Sequence, residues 1–295
     1  MGFETILQIV IQGLNMGLIY ALAALGISLI WNASGLFNFA QGDLLTVGGY
    51  VMLSTFAHWA LPYPLAFALT IGVMGLAGYL LSRGYFFPMF SQGLHPDIIV
   101  IGTVSLTVLL QNGILLLWGP HPQRFNNPFG DTPIHFERII LMPYYVYNIV
   151  IVVVLVALLQ LFLKKTIVGI AMRAVAQRRV TASLMGVRVD QLVALTFLLA
   201  TGLAAFAGVL IAPIIPLIPE MGSLVGLKAF AAVLIGGLGS FAGALVGGVI
   251  VGIAEVVFAT VAVPTYKDVF IFAILIAFLL LRPRGIFSAE ISEKV

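Results

Sequence analysis

The stretch Lys164–Asp190, KKTIVGIAMRAVAQRRVTASLMGVRVD, decides how the chain is threaded. It holds six of the fourteen Lys and Arg residues and is the only long polar connection with a surplus of one sign. Apolar segments long enough to cross a bilayer flank it on both sides. Lys and Arg cross poorly and fix orientation by where they remain, so a basic loop between spans belongs on the cytoplasmic face. Within it the spacing predicts one short helix over Ile170–Met185. Met172, Ala176, Val180 and Leu184 lie four apart on one side, with Arg173, Gln177 and Thr181 in a neighbouring polar row. Ala171, Ala174, Ala176, Ala182 and Ser183 are small enough for this helix to press against a partner, and Gly186 can end it. The alternative, on pattern alone, is an amphipathic helix lying on anionic lipid.

Composition gives the class. The 295 residues are 61% hydrophobic and 8% charged, with mean hydropathy +1.15, against about 25% charged for a soluble domain. An all-α, polytopic membrane protein follows, expected as a single membrane domain over 1–295. With no Cys there is no disulfide framework, thiol nucleophile or Cys-based zinc site. The net charge of +3 comes mostly from loop cations and reports topology, not nucleic-acid binding. Met1–Glu4 lacks a basic n-region and the first apolar run exceeds an h-region of roughly 7–15 residues, so it is read as a true span.

A helix crossing about 30 Å of hydrocarbon needs roughly 20 residues. The candidates are Thr5–Trp31, Asn38–Ala57, Pro62–Leu81, Asp97–Trp118, Pro143–Leu163, Gln191–Ile215, Ser223–Gly239, Phe241–Val261 and Lys267–Leu281. Ser223–Gly239 is short enough to re-enter instead of spanning, so the count is eight or nine. Trp31, Trp59 and Trp118 all fall at segment ends, where an indole ring can sit among headgroups. With the basic loop (164–190) inside, nine crossings place the N-terminus outside and the C-terminus in the cytoplasm. The inside then holds ten cations (Arg83, the six of the loop, Arg282, Arg284, Lys294) and the outside three (Arg124, Arg138, Lys267). The loop 119–142 is outside, either a surface met by an external partner or a plain connection; Asn126 and Asn127 should be open there to an external label.

Gly239, Gly243 and Gly247, Gly248 and Gly252, and Gly13 and Gly17 repeat at four-residue spacing. Small residues so spaced let helix backbones approach closely, which favours packing over substrate contact. The dense Gly236–Gly239 patch reads as a break between segments. In each half a long span (Thr5–Trp31; Gln191–Ile215) precedes a shorter, polar-interrupted one (Asn38–Ala57; Ser223–Gly239), a twofold pattern, and five crossings before the basic loop would make the halves inverted repeats.

No P-loop, HExxH, metal-ligand spacing or Ser/His/Asp set is present, so no catalytic or metal residues and no cofactor are expected. Ionisable groups at membrane depth are the sharper signal, because they persist only when paired or facing water. Asp43, Lys228 and Glu255 are such groups. They fit either an ATP-driven permease or a proton- or ion-coupled carrier or channel.

Several stretches carry a resemblance, in order along nearly the whole chain. They are Gly13–Gly26 (GLNMGLIYALAALG), Asn38–Asp43 (NFAQGD), Arg173–Ala176 with Leu184–Gly186, Lys228–Ser240 (KAFAAVLIGGLGS), Tyr266–Asp268 and Leu281–Gly285 (LRPRG). The chain resembles the permease subunits of branched-chain amino acid ATP-binding-cassette importers. The resemblance implies a homologous second permease, two cytoplasmic ATPases and a periplasmic binding protein as partners. It makes the loop helix a coupling helix, with Arg173, Ala174, Ala176, Gln177, Ala182, Leu184 and Gly186 as its contact set. Asn15, Tyr20, Asn38, Gln41, Asp43, Lys228 and Glu255 become the pathway candidates. Two departures stand out: Gln177-Arg178-Arg179 replaces an acidic position, and Gln41-Gly42-Asp43 replaces a common His-Gly-Glu. Sibling systems carry other neutral amino acids, urea or short amides.

Overall fold

A computed structural model describes residues 3–125, 130, 134–136, 139–261 and 264–287. The order is α1 (Phe3–Ser34), α2 (Gln41–Met52) running on into a π-helical turn (Leu53–His58), and α3 (Tyr63–Leu81). A second π turn (Ser82–Phe86) joins α3 to α4 (Phe87–Ser91), and α5 (Pro96–Trp118) follows. Then come strands β1 (Ile134–Phe136) and β2 (Ile139–Leu141), and the helices α6 (Pro143–Lys165), α7 (Ile167–Gln177) and α8 (Arg179–Leu184). The last four are α9 (Val189–Ile211), α10 (Met221–Gly236), α11 (Phe241–Val261) and α12 (Lys267–Leu281).

Among the described residues seven helical segments are long and apolar enough to cross a membrane. They match seven of the nine expected spans, six with ends moved by a few residues; the one expected over Pro62–Leu81 runs on to Ser91. The other two, Asn38–Ala57 and Ser223–Gly239, fold as the short helices α2 and α10. At about 1.5 Å per residue, the sixteen residues of α10 reach roughly 24 Å, short of a hydrocarbon core of about 30 Å.

The interior is built on α1 and α9, which are enclosed on nearly all sides, while α3, α5, α6, α11 and α12 keep an apolar face outward. An all-round apolar helix belongs in the centre of such a bundle. The four-residue glycine spacing does pack helices. A Cβ added at Gly252 would run into the Gly17 backbone, and one at Gly17 would lie 2.7 Å from Val249 Cα. Thus α1 and α11 cross backbone against backbone and antiparallel. Gly237 (φ 107°) and Gly239 (φ 76°) turn the chain between α10 and α11, the break expected from the sequence.

The two short helices meet inside the fold. A Cβ on Gly42 would strike the Gly222 carbonyl and lie 2.7 Å from Gly226 Cα, and one on Gly222 would lie 2.5 Å from Thr46 Oγ1. The first turns of α2 and α10 therefore overlap, and the helices run away in opposite directions. At the far end of α10, Ile286 N–H and Phe287 N–H donate to the Ile235 and Gly236 carbonyls at 2.9 Å. The segment after α12 thereby caps α10.

One expectation needs correction. The loop helix is not continuous over Ile170–Met185: it is split into α7 and α8 at Arg178, whose backbone is extended (φ −148°, ψ 101°). The break ends the row Met172–Ala176–Val180–Leu184, so Met172 is buried whereas Val180 and Leu184 are 74% and 84% exposed. The loop 119–142 carries some regular structure. Its described residues include the β1–β2 hairpin, with Ile134 opposite Leu141, and a bridge from Gln123 to Leu217. Asn126, Asn127 and Arg138 in this loop, and Lys294, lie outside the described residues.

Candidate functional site

The candidate polar residues fall into two groups and one outlier. In the first, the α2–α10 junction, Asn38 Oδ1 accepts from Ala40 N–H at 3.2 Å, and Gln41 Nε2 donates to the Ala200 carbonyl of α9 at 2.8 Å. Asp43 is fully buried, and its Oδ1 accepts from Gln111 Nε2 at 2.9 Å; the same amide lies 2.7 Å from Ser223 Oγ. A cavity of about 210 Å³ opens between these elements, lined by Asn38, Gln41, Gly42, Thr107, Ser223 and Gly226 and walled by apolar side chains. Phe230 closes part of it, held edge-on to Phe37 with ring centres 5.1 Å apart.

The second group is a charge network. Tyr20 of α1 donates its hydroxyl to Glu255 Oε2 at 2.5 Å, and Lys228 Nζ donates to Glu255 Oε1 at 2.6 Å. Lys267 Nζ lies 2.9 Å from that same oxygen, and Lys228 Nζ lies 2.9 Å from Asp268 Oδ1 without hydrogen-bond geometry. Lys228 and Glu255 are almost wholly buried, so the pairing is what makes their presence between helices tolerable. Residues from α1, α10, α11 and α12 are thereby tied at one point. Asn15, the outlier, is buried, with no partner for either side-chain polar atom among the described residues.

Gln111, Thr107, Ser223, Lys267 and Asp268 complete these groups and are absent from the sequence-derived set. Gln111 carries a readable signal, an amide in the middle of an apolar span. Lys267 reads from sequence only as a charge at an outer edge, because the turn that brings it onto Glu255 is not visible there.

The basic loop forms a separate surface. Thr166 caps α7, its Oγ1 accepting from Gly169 N–H at 3.0 Å, and the helix turns Met172 and Val175 inward. Of the expected contact set, Arg173 and Ala176 line a cavity of about 360 Å³ beneath α7, and Ala182 is buried. Ala174, Gln177, Leu184 and Gly186 are exposed. Arg179 was not in that set, yet it anchors α8. Its guanidinium donates to the Ala33 carbonyl from both Nε (2.9 Å) and an Nη, placing a cation at the C-terminal end of α1. Burial lowers its pKa from the ordinary arginine value, and the nearby Asp190 opposes that shift. The outward face left by this anchoring is apolar: Ile167, Val180, Leu184 and Met185 are each more than 70% exposed.

Comparison with known proteins gives the family. The model described as "Branched-chain amino acid transport system / permease component" matches residues 9–279. The chain is 33% identical to the high-affinity branched-chain amino acid transport system permease protein BraD of Pseudomonas aeruginosa, over 98% of each chain. It is 32% identical to the corresponding LivH of Escherichia coli strain K12, over 99% of each. A probable branched-chain amino acid transport permease protein of Methanocaldococcus jannaschii is 30% identical over 91% of this chain. No solved structure matches. The chain is a member of the branched-chain amino acid transport system permease family.

Proposed function

We propose that the chain is the membrane subunit of an ATP-driven importer of branched-chain or related neutral amino acids, providing half of the translocation pathway and no catalytic group. The observation that carries the coupling role is the outward apolar face of α7 and α8. A basic, polar loop has no reason to present Ile167, Val180 and Leu184 to water unless a partner covers them. In this reading the partner is a cytoplasmic ATPase, one of two serving a pair of homologous permeases, and a periplasmic binding protein delivers substrate outside. The contact set of the docking surface is Ala174, Gln177, Leu184 and Gly186, joined by Val180; Ala182 and Arg179 hold it in place.

The opposed first turns of α2 and α10, each following a long central helix, support an inverted-repeat arrangement with the pathway beside their junction. The same threading puts residues 119–142 outside, residues 164–190 in the cytoplasm, and the chain in the bacterial plasma membrane. Because the sequence contains no Cys, single cysteines report without background. His121→Cys, on an exposed turn beyond α5, should react with an impermeant maleimide on intact cells. Gln177→Cys should react only after permeabilisation. Reaction of Gln177→Cys from outside overturns the orientation.

A carrier driven by protons needs a carboxylate that is emptied and refilled in each cycle. Glu255 instead has two ammonium groups and a phenol within hydrogen-bond distance, which supports a structural role. Proteoliposomes holding all subunits, with ATP on the cytoplasmic side, test the energy source. Uptake of labelled leucine is expected to require ATP and to continue when a protonophore collapses the proton gradient. Loss of uptake under the protonophore, with ATP present, selects the carrier.

A further inference from the structure

Two cavity-lining side chains at the α2–α10 junction have polar atoms buried away from solvent and without partners, Asn38 Nδ2 and Gln41 Oε1, and a third, Thr107 Oγ1, faces the Asp43 carboxylate without full hydrogen-bond geometry. Asp43, next to the lining Gly42, keeps its Oδ2 equally unpartnered. Buried polar atoms are nearly always hydrogen-bonded, so a cluster of orphans on one cavity marks a missing occupant. The orientation of each amide is set by what its other end does. Asn38 spends its oxygen on Ala40 N–H and so turns a donor to the cavity. Gln41 spends its nitrogen on the Ala200 carbonyl and so turns an acceptor to it. Ser223 Oγ faces the Gln111 amide and keeps a hydroxyl proton to give. The lining therefore offers both donors and acceptors.

The donor side is reinforced by geometry. In the first turn of α2 the Gln41 and Leu44 N–H groups donate to the Asn38 and Ala40 carbonyls, which leaves Gly42 and Asp43 without a backbone acceptor in the preceding turn, and the positive end of the helix dipole lies there. The acceptor side has the Asp43 carboxylate behind it. The remaining surface, from Ile27, Phe37, Val104, Leu227 and Phe230, is apolar. At about 210 Å³ the cavity is smaller than the roughly 300 Å³ where drug-sized pockets begin.

We infer that this cavity is a recognition site for a zwitterionic amino acid with a branched or linear apolar side chain. Its carboxylate meets Asn38 Nδ2, Ser223 and the first turn of α2. Its ammonium group meets Gln41 Oε1 and Thr107, with Asp43 as counter-charge, and its side chain rests on Phe230 and Leu227. The inference rests on the reading of the chain as an amino-acid importer subunit and assigns the atoms that do the recognising.

Thr107→Val tests it. The change swaps the hydroxyl that faces the Asp43 carboxylate for a methyl of similar shape, and Asp43 keeps the Gln111 amide, so folding should be largely unharmed. In proteoliposomes containing the whole complex, labelled-leucine uptake should nevertheless fall about ten-fold or more, as expected when a site built to hydrogen-bond its substrate loses a partner. Thr107→Ser should restore most of the uptake. Phe230→Ala should raise phenylalanine uptake relative to leucine by widening the apolar wall. ATPase co-purification should stay at wild-type level in all three. Wild-type leucine uptake combined with unchanged rates in Thr107→Val and unchanged selectivity in Phe230→Ala rejects the recognition site alone. A wild-type complex that takes up no amino acid with ATP rejects the importer reading itself.

Discussion

A chain carrying Val180→Glu and Leu184→Glu is expected to reach the membrane at the wild-type level, lose its ATPase partners on purification, and transport at background. Both residues lie on α8, outside every span, and both are largely exposed. Neither change removes an internal contact, so folding has no reason to suffer. A docked partner would have to bury two carboxylates with no compensating donors, and such a burial costs several kcal/mol or more. The choice of positions matters. Ala176 lines the cavity under α7, so a glutamate there disturbs the fold before it reaches a partner. Gly186 has φ 83°, where a bulky residue is strained whatever lies outside. A helix that merely rests on lipid predicts full ATPase retention in the double variant. Co-purification and transport at normal levels in that variant would falsify the docking surface.

The spans were legible because lipid requires every backbone group to be satisfied within its own segment, and long apolar helices are the direct solution. Hydropathy therefore located seven of them, six with ends shifted by only a few residues and one, Pro62–Leu81, continuing as a helical segment to Ser91. Its two other candidates fold as α2 and α10, which are shorter than a full span, because hydropathy measures apolarity and not length of helix. What sets those helices apart is the close backbone approach of Gly42 to Gly222, a contact between residues far apart in the chain. The polar residues were legible as a set and not as groups. Tyr20, Lys228 and Glu255 meet although 235 residues separate the first from the last, and nothing local encodes that pairing. The loop helix failed for a definite reason. Four-residue spacing continued across Arg178, but the tertiary demand to bring Arg179 onto the carbonyl end of α1 broke the helix there. A surface glycine or proline would have announced the break; a half-buried arginine does not.

Glu255→Gln should be the most destabilising single change in the charge network, lowering resistance of the detergent-solubilised protein to heat by an amount equivalent to about 3–5 kcal/mol. Glu255 is the hub: Lys228 and Lys267 both lie within 3 Å of one of its oxygens, and Tyr20 donates to the other. Neutralising it leaves two ammonium groups close together with Asp268 as their remaining acidic neighbour at this point. Lys228→Met should cost less. Glu255 then keeps Lys267 and Tyr20, and the apolar stem that Met supplies fills the space left between α10 and α11. Combining Lys228→Met with Glu255→Gln should be milder than the sum of the two, because with Lys228 gone the loss of the carboxylate no longer strands a buried ammonium group. Thermal unfolding, followed by the loss of the monodisperse peak on size exclusion, gives the values for both single variants and the double variant. If Lys228→Met proves more harmful than Glu255→Gln, the hub is misassigned. The same variants separate structure from energy supply. Molecules of Glu255→Gln that remain folded should still import with ATP, since the carboxylate ties four helices together and, in the function proposed above, energy enters through α7 and α8.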